Sequence, residues 1–263
     1  MTNAISAAGR TDRGRRRADN QDRILCETSA DGSTGLFAVA DGMGGQRAGA
    51  VASALAIDTV REELGPLLTG DGARASDEGH AGAAGDQPLT EQVRAAVQRC
   101  NERILAHADE HPETRGLGST LTLALVKGRL AIIGNIGDSR TYRIRADAIE
   151  SLTRDHSLVA HLAAIGQITP EEVYSHPHRG YIYRALGSEE EAQPDILTER
   201  LHSDDTLVLC SDGLWEMVRD DGICSAARDA ASPEAAATQL IQMANGNGGD
   251  DNISAIVVRV QET

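Results

Sequence analysis

Four aspartates lie beside apolar segments of strand length, where carboxylates could gather into a metal site. Asp41 closes the segment LFAVAD and Asp212 closes TLVLCSD, and each precedes a glycine. Asp138 follows the apolar run AIIGNIG, and Asp251 precedes the apolar segment 253–260. Carboxylates that converge at a sheet edge repel one another unless cations neutralise them, and such oxygen ligands suit Mg²⁺, Mn²⁺ or Ca²⁺ rather than zinc.

The alternative is a set of unrelated turns, because Asp-Gly is a common turn dipeptide. Three further Asp-Gly pairs, at 31–32, 71–72 and 221–222, have polar surroundings in the sequence and are predicted to be turns or loops. Spacing alone leaves both interpretations of the four aspartates open.

An arginine cluster could supply the other half of a phosphoryl site. Four arginines lie between residues 13 and 17, just before the segment Asp19–Asp22. A guanidinium offers two parallel hydrogen bonds to phosphate oxygens, and nearby metal ions would supply the nucleophilic water. Taken alone, the cluster is better interpreted as a solvated basic patch.

Composition limits the partners and the compartment. The formal net charge of −15 disfavours nucleic acid, because an acidic surface repels phosphates. The four cysteines form no CxxC pair, which predicts free structural thiols in a reducing compartment. No apolar run approaches the ~20 residues that span a bilayer, and the first residues lack a signal-peptide apolar stretch. We therefore expect a cytoplasmic protein that binds neither nucleic acid nor membrane.

The hydrophobic pattern predicts the elements that must position these residues. Apolar runs of strand length predict strands at 35–40, 120–126, 130–136, 206–210 and 253–260. Helical spacing predicts helices at 48–64, from an N-cap at Thr90 onward, and at 233–244 after a cap at Ser232. Residues 65–88, rich in Gly, Ala, Asp and Ser, are predicted to be a mobile loop. This order predicts an α+β fold, with helices over antiparallel sheets, in one domain spanning residues 1–263.

Nine segments carry a family resemblance when they are taken together and in order. They are TDRGRRRADNQD (11–22), VADGMGGQRAGAVAS (39–53), GSTLT (118–122), NIGDSRTYR (135–143), LTRDHS (152–157), ITPEEVYSHPHR (168–179), YRALG (183–187), CSDGLWEMV (210–218) and GGDDNIS (248–254). Together they resemble the metal-dependent protein phosphatase family, also called protein phosphatase 2C or the PPM family, and their sequences are most similar to those of bacterial members.

The resemblance implies a fold and a metal site. The fold would be a central β-sandwich of two antiparallel sheets flanked by helices. Asp41 would bridge two Mn²⁺ or Mg²⁺ ions, and the carbonyl of Gly42 would bind one of them. Asp212 and Asp251 would complete the binuclear site. Asp138, with Asp212, would form a weaker third metal site.

The resemblance also implies a reaction, hydrolysis of phosphoserine or phosphothreonine in proteins by a water that two metal ions activate. Arg17 would hold the substrate phosphate, Asp22 would hydrogen-bond metal-bound water from behind the ligands, and Asn252 would position the metal-binding loop. The implied partners are phosphoprotein substrates and a bacterial Ser/Thr kinase that the phosphatase opposes.

One position departs from some relatives, which carry a histidine where this chain has Met43. The general acid is therefore unassigned, with metal-bound water the first candidate and a histidine of the segment 157–179 the second. That segment resembles the family's mobile flap and contains His161, His176 and His178. A zinc site at His176 and His178 is the weaker interpretation of that pair, because a full ligand set is missing.

Two other functions are weighed against this one. A non-catalytic binding module on the same fold would be expected to lack metal aspartates, and every expected aspartate is present here. A dedicated regulator, for instance one that dephosphorylates an anti-sigma antagonist, would have the same chemistry. The sequence does not separate that regulator from a general phosphatase.

Overall fold

Two antiparallel β-sheets stacked face to face form the centre of the computed structural model, which describes residues 3–69 and 83–262. In spatial order, the first sheet contains β1 (Asn3–Asp12), β11 (Ile253–Glu262), β10 (Thr206–Cys210), β7 (Arg140–Arg145) and β8 (Ala148–Ser151). The second contains β2 (Asp22–Thr28), β3 (Thr34–Met43), β5 (Leu121–Lys127), β6 (Leu130–Ile136) and β9 (Asp195–Arg200), with β4 (Gly118–Ser119) paired to the end of β3.

Helices cover the outer face of each sheet. Over the second sheet lie α1 (Gly45–Leu64) and α2 (Ala83–Glu110), and over the first lie α4 (Asp212–Trp215), α5 (Asp220–Asp229) and α6 (Pro233–Gly246). A short helix, α3 (Leu158–Ala164), and a 3₁₀ turn at Glu171–Tyr174 belong to the flap, residues 157–179. None of the helices in the described residues has both the length and the apolar character that a membrane span requires. The predicted helix-flanked sandwich is confirmed.

The core explains why the strands are almost wholly apolar. On β5, Leu123 and Leu125 pack under α1 and α2, whereas Ala124 and Val126 face the other sheet. Because successive side chains of a strand point to opposite faces, a strand covered on both sides must be apolar at every position. The buried apolar side chains between the sheets are aliphatic apart from Phe37, which is fully buried there.

The predicted strands and helices are all present, but two boundaries of the predicted loop are wrong. Residues 65–68 form a 3₁₀ turn, and α2 begins at Ala83 rather than after Thr90, with Pro88 inside it. Pro88 is the sixth residue of α2, so the helix continues through it at the cost of one backbone hydrogen bond to the carbonyl four positions earlier. Residues 70–82, which include the Asp-Gly pair at 71–72, lie outside the described residues.

The other two Asp-Gly pairs have different outcomes. Asp31 and Gly32 form the predicted turn between β2 and β3, with Gly32 at a φ of 69°. Asp221 and Gly222 instead lie in the first turn of α5. An acidic residue is favourable at that position because it faces the positive end of the helix dipole.

An ion pair between the partly exposed Arg145 and the buried Asp205 joins β7 to the start of β10. The carboxylate of Asp205 is fully buried and accepts hydrogen bonds from Arg145 Nε at 2.8 Å and Nη2 at 2.7 Å, and from the His202 N–H at 2.7 Å. Burial alone would raise the pKa of Asp205, but these hydrogen bonds together lower it. Asp205 therefore stabilises the fold as a carboxylate.

We expect Asp205→Asn to lower the free energy of unfolding by about 1–3 kcal/mol at pH 7, because buried donors lose a charged acceptor. Since the folded-state pKa is below the unfolded value, this contribution is complete above the unfolded pKa and disappears as pH falls through the folded pKa. Urea unfolding at several pH values measures the difference. Asp204→Asn is the matched control, because Asp204 is exposed and its φ of 69° suits asparagine. A difference that persists unchanged into acid would contradict the assignment.

Candidate active site

A cleft of about 700 Å³ opens at one end of the sandwich, where the predicted residues meet. One wall is the arginine-bearing loop before β2, another is the end of β3 with the start of α1, and a third is the loop before β11. Opposite them runs the chain that follows the flap. The lining residues are Arg16, Arg17, Ala18, Asp19, Gln21, Asp41, Gly42, Met43, Gly44, Gly45, Gly180, Tyr181, Ile182, Asp212, Asp251 and Asn252.

Asp41 is fixed by backbone contacts on both sides. Its N–H donates to the hydroxyl of Thr120 at 3.0 Å, and its carbonyl accepts from the Thr120 N–H at 2.9 Å and from the Ser119 hydroxyl at 3.0 Å. Gly42 follows at a close crossing, since a Cβ there would lie 1.9 Å from the carbonyl oxygen of Gly49. Only glycine fits this position, so the Asp-Gly pair is a packing requirement as well as part of the cleft.

Asp22 lies beneath the cleft, opposite Asp41 in the β2–β3 ladder. It is fully buried, and its Oδ2 accepts from the hydroxyls of Ser211 and Ser254, each at 2.7 Å. Burial raises the pKa of Asp22 to about 6, although the two serine hydrogen bonds oppose that shift. The other oxygen, Oδ1, finds no hydrogen-bond partner among the residues that the structure describes.

Asp212 follows a strand of the first sheet, and Asp138 lies in the loop that passes from the second sheet to the first. Asp212 is the first residue of α4, directly after β10. Asp138 follows β6, is 2% exposed, and its carbonyl accepts from Trp215 Nε1 at 2.9 Å. The Oδ1 atom of each carboxylate is buried and has no hydrogen-bond partner within residues 3–69 and 83–262. Asp138, like Asp22, lies behind the cleft wall rather than on it.

Asn252 organises the loops that carry Asp251 and Arg17. Its Nδ2 donates to the carbonyls of Arg13 and Asp19, each at 2.9 Å, and its Oδ1 accepts from the Gln21 N–H at 2.8 Å. The neighbouring Asp251 accepts from Arg17 Nη2 at 2.5 Å. A single amide side chain therefore holds the arginine loop against the last strand.

The carboxylates raise one another's pKa. For Asp41 and Asp212, burial is the largest cause and the neighbouring aspartates add to it, so that both pKa values lie well above the usual range. Burial, followed by the charge of Asp155, raises the pKa of Asp138 to about 7. Clustered buried carboxylates with unpartnered oxygens match the donor chemistry of a divalent cation site.

The side chains are not positioned as a closed ligand shell. Within residues 3–69 and 83–262, no three His, Cys, Asp or Glu side chains are grouped so that they could hold an ion. Asp251 is paired with Arg17, which turns one carboxylate oxygen toward the guanidinium. The residues fit cations by donor type, burial and convergence on one cleft, and ion binding requires their side chains to turn toward a common point.

The flap histidines do not reach this cleft. His176 and His178 pair with each other, the backbone N–H of His178 donating to His176 Nδ1 at 3.1 Å. Of the described residues that line the cleft, none is a histidine. The described residues contain no zinc ligand set around them. Met43 is at the cleft, where its thioether cannot serve as an acid.

Sequence patterns did not reveal the hydroxyl partners of the aspartates. Ser211 and Ser254 hold Asp22, and Thr120 holds Asp41. Each of these hydroxyls lies inside one of the nine segments quoted above, so position in those segments was the available signal. Trp215 and Tyr181 were also missed, because neither side chain is of a type that a search for metal or phosphate ligands would select.

Comparisons with known proteins agree with this geometry. A family model described as Protein phosphatase 2C matches residues 11–245. The serine/threonine phosphatase stp of Listeria welshimeri is 34% identical over 257 residues, covering 97% of this chain and 95% of the relative. The serine/threonine protein phosphatase PstP of Mycobacterium tuberculosis is 36% identical over 262 residues, covering 99% of this chain but 46% of the relative. A crystal structure of the catalytic domain of serine/threonine protein phosphatase PstP in complex with two manganese ions superposes with a TM-score of 0.83 at 33% identity, covering 99% of this chain and 100% of that chain.

We expect Asp41→Asn to stabilise the protein in EDTA by about 0.5–2 kcal/mol, because site carboxylates are kept at a cost in stability. The folded-state pKa of Asp41 is raised, so its charge destabilises the fold at neutral pH and this penalty fades as pH falls below the folded value. In Mn²⁺ we expect the wild type to be more stable than Asp41→Asn, because ion binding stabilises the wild type more than the variant. Thermal unfolding of the two proteins in EDTA and in Mn²⁺ measures the difference in stability under each condition.

Asp31→Asn is the control for this comparison. Asp31 is exposed in a turn, and hydrogen bonds from Ser29 and Ser33 lower its pKa to about 2. Its substitution should not stabilise the protein, and its effect should be the same with and without Mn²⁺. A destabilised Asp41→Asn in EDTA would contradict the account of repelling carboxylates.

Proposed function

Because the chain belongs to the protein phosphatase 2C family, it is a metal-dependent serine/threonine protein phosphatase, and we propose that the cleft beside Arg17 is its active site. The observation that carries this assignment is the set of buried carboxylates there. Among the described residues, Asp22, Asp138 and Asp212 each have a buried carboxylate oxygen without a hydrogen-bond partner. Asp212 lies near the Arg17 guanidinium, which is suited to phosphate.

The cations would be held by the carboxylates of Asp41, Asp212 and Asp251 with the carbonyl of Gly42, and either Mn²⁺ or Mg²⁺ suits these oxygen donors. Asp138, with Asp212, would form a weaker third site. When bound, the ions would supply Lewis-acid polarisation of the phosphoryl group and a lowered pKa for water. The rest of the chemistry depends on groups that the chain itself provides.

Arg17 would bind the phosphate and stabilise its equatorial oxygens as charge develops during in-line displacement. Burial would lower the pKa of Arg17, but Asp251 raises it, so the side chain stays cationic. About half of the side chain is exposed at the cleft, which allows it to exchange Asp251 for a phosphate. Its planar fork favours tetrahedral oxyanions over a single carboxylate oxygen.

Asp22 would act from beneath the site. Two serine hydroxyls hold one carboxylate oxygen in place. The other oxygen, which is buried beneath the cleft, would accept a hydrogen bond from water at the cation site. No histidine lines the cleft in the described part of the chain, so solvent water would protonate the leaving serine or threonine oxygen.

The biological setting follows from the reaction. Phosphoserine and phosphothreonine in proteins are made by serine/threonine kinases, so the phosphatase would oppose such a kinase and act on its targets. The four cysteines are free, which is typical of a reducing compartment and supports a cytoplasmic location.

The direct test is hydrolysis of a phosphothreonine peptide in Mn²⁺, in EDTA, and by Asp212→Asn. We expect Mn²⁺-dependent phosphate release that EDTA abolishes and that Asp212→Asn lowers by about 100-fold or more, as for loss of a group that stabilises the transition state. Asp221→Asn is the matched control, because Asp221 also begins an Asp-Gly pair but is exposed on α5. Folded, Mn²⁺-binding protein without turnover would contradict the proposed reaction, and full activity in Asp212→Asn would contradict the assigned site.

Arg17→Lys tests the phosphate role separately. Loss of the two-pronged contact should lower kcat/KM for the phosphopeptide by about 10- to 100-fold, the range expected for hydrogen bonds to charged groups. Steady-state kinetics in Mn²⁺ provides the measurement. Arg10→Lys serves as control, since Arg10 pairs with Glu234 away from the cleft. Equal kcat/KM in Arg17→Lys and wild type would remove Arg17 from the mechanism.

A further inference from the structure

The short helix α4 joins the cleft to the flap. Its first residue is Asp212, at the cleft, and its last is Trp215, which is followed by Glu216. Arg179 of the flap pairs with Glu216 at 3.2 Å. One helical turn therefore presents a candidate metal ligand at one end and flap contacts at the other.

Trp215 is held on several sides. It is 2% exposed, and its Nε1 donates to the carbonyl of Asp138 at 2.9 Å. The guanidinium of Arg140 lies 3.6 Å from the centroid of the indole, and Arg140 is itself held by both carboxylate oxygens of Asp155. A buried indole N–H needs an acceptor, and here that acceptor is the backbone of a candidate metal ligand.

The flap contacts the same indole. Tyr174, in the 3₁₀ turn of the flap, meets Trp215 edge to face, with ring centroids 6.0 Å apart and planes at 66°. On its other side Tyr174 is covered by the guanidinium of Arg219 at 3.4 Å. Edge-to-face and cation–π contacts of this kind are directional, so a displaced flap would lose them together.

His156 makes a second link between the same two parts. Its ring Nδ1 accepts from the Gly137 N–H at 3.2 Å, and its backbone N–H donates to the Gly137 carbonyl at 2.9 Å. The His156 carbonyl accepts from the N–H of Tyr183, just after the flap, at 2.9 Å. Two residues therefore hold the loop that carries Asp138. Trp215 also contacts the flap, and His156 also bonds the chain that follows the flap.

We propose that Trp215 is a positioning residue that couples docking of the flap to cation binding by Asp138 and Asp212. The inference rests on the proposed metal site. When Tyr174 packs on Trp215, the indole fixes the Asp138 backbone and the turn that presents Asp212. By thermodynamic linkage, a cation that binds this arrangement more tightly stabilises the docked flap by the same factor. A residue that only filled the core would stabilise the protein, but its contacts with the flap would not change the affinity for the cation, and the cation would not stabilise the docked flap.

Trp215 also provides the measurement, because it is the single tryptophan in the sequence. Its emission is followed while Mg²⁺ alone is added to the intact chain, since Mg²⁺ does not quench as paramagnetic Mn²⁺ does. Tyr174→Ala should raise the Mg²⁺ Kd about five-fold or more, the lower end of typical coupling. Tyr174→Phe, which keeps the ring edge, should retain the wild-type value. Ile165→Ala is the control on the same flap, because Ile165 is 54% exposed.

The reciprocal effect is measured by trypsin cleavage after Arg179, whose side chain pairs with Glu216 in the docked flap. Mg²⁺ should slow this cleavage in the wild type and in Tyr174→Phe, but not in Tyr174→Ala. Circular dichroism checks folding, and Tyr174→Leu replaces Tyr174→Ala if the alanine variant does not fold.

The outcomes distinguish a failure of the coupling from a failure of the metal site. An unchanged Mg²⁺ Kd in folded Tyr174→Ala, with cleavage still slowed by Mg²⁺, would overturn the coupling and leave the metal site intact. Absence of Mg²⁺ binding to the wild type, by emission and by calorimetry, would overturn the metal site and the coupling with it. A weaker Kd in Tyr174→Ala together with the wild-type Kd in Tyr174→Phe supports the positioning role.

Discussion

The constraint on which the rest of the structure depends is the crowding of like charges at one end of the sandwich. Asp41, Asp138 and Asp212 are carboxylates whose pKa values burial and mutual repulsion raise. Such a cluster opposes folding, so it persists only where a large aliphatic core supplies the stability and where function requires it. The two sheets supply that core, and the destabilising carboxylates are confined to the cleft at one end of it.

The scaffold meets this constraint with neutral hydrogen bonds rather than with compensating cations. Serine hydroxyls hold Asp22, Thr120 holds the backbone of Asp41, and the amide of Asn252 ties the arginine loop to the last strand. The serines donate to the Asp22 carboxylate, whereas Thr120 and Asn252 bond backbone groups. These neutral contacts place the aspartates without neutralising them, which leaves their charge available for metal ions. Arg17 is the cation at the cleft that pairs with one of them, and it is half exposed and can leave.

Sequence reasoning reached the elements that are apolar throughout, because β3, β5, β6, β10 and β11 are buried and read as continuous hydrophobic runs. It missed edge strands such as β8 and β9, whose half-exposed residues lack that signal. It also misplaced the start of α2, where Pro88 and a glycine-rich composition resemble a loop although the backbone is helical. Local composition is a weak guide to where a helix begins.

At the site, the strand-end aspartates were identifiable from their position after apolar runs, and the order of nine segments distinguished them from ordinary turns. Their supporting contacts were not identifiable, since Ser211 meets Asp22 across 189 residues of sequence. Trp215 shows the same limit, because its link to Asp138 spans 77 residues and depends on how α4 lies beneath the flap. Contacts of this kind are set by the stacking of the two sheets rather than by any local pattern.

The central claim is that crowded, partly protonated carboxylates are kept for divalent cations, and proton release on ion binding tests it most directly. Mg²⁺ is titrated calorimetrically near pH 6.5 in buffers of different ionisation enthalpy, which gives the number of protons released per ion. Because burial raises the pKa of Asp138 to about 7 and that of Asp22 to about 6, ion binding should release protons at this pH and fewer as pH rises. Heats of binding that are the same in every buffer, with an affinity that does not change between pH 6 and pH 8, would contradict the account.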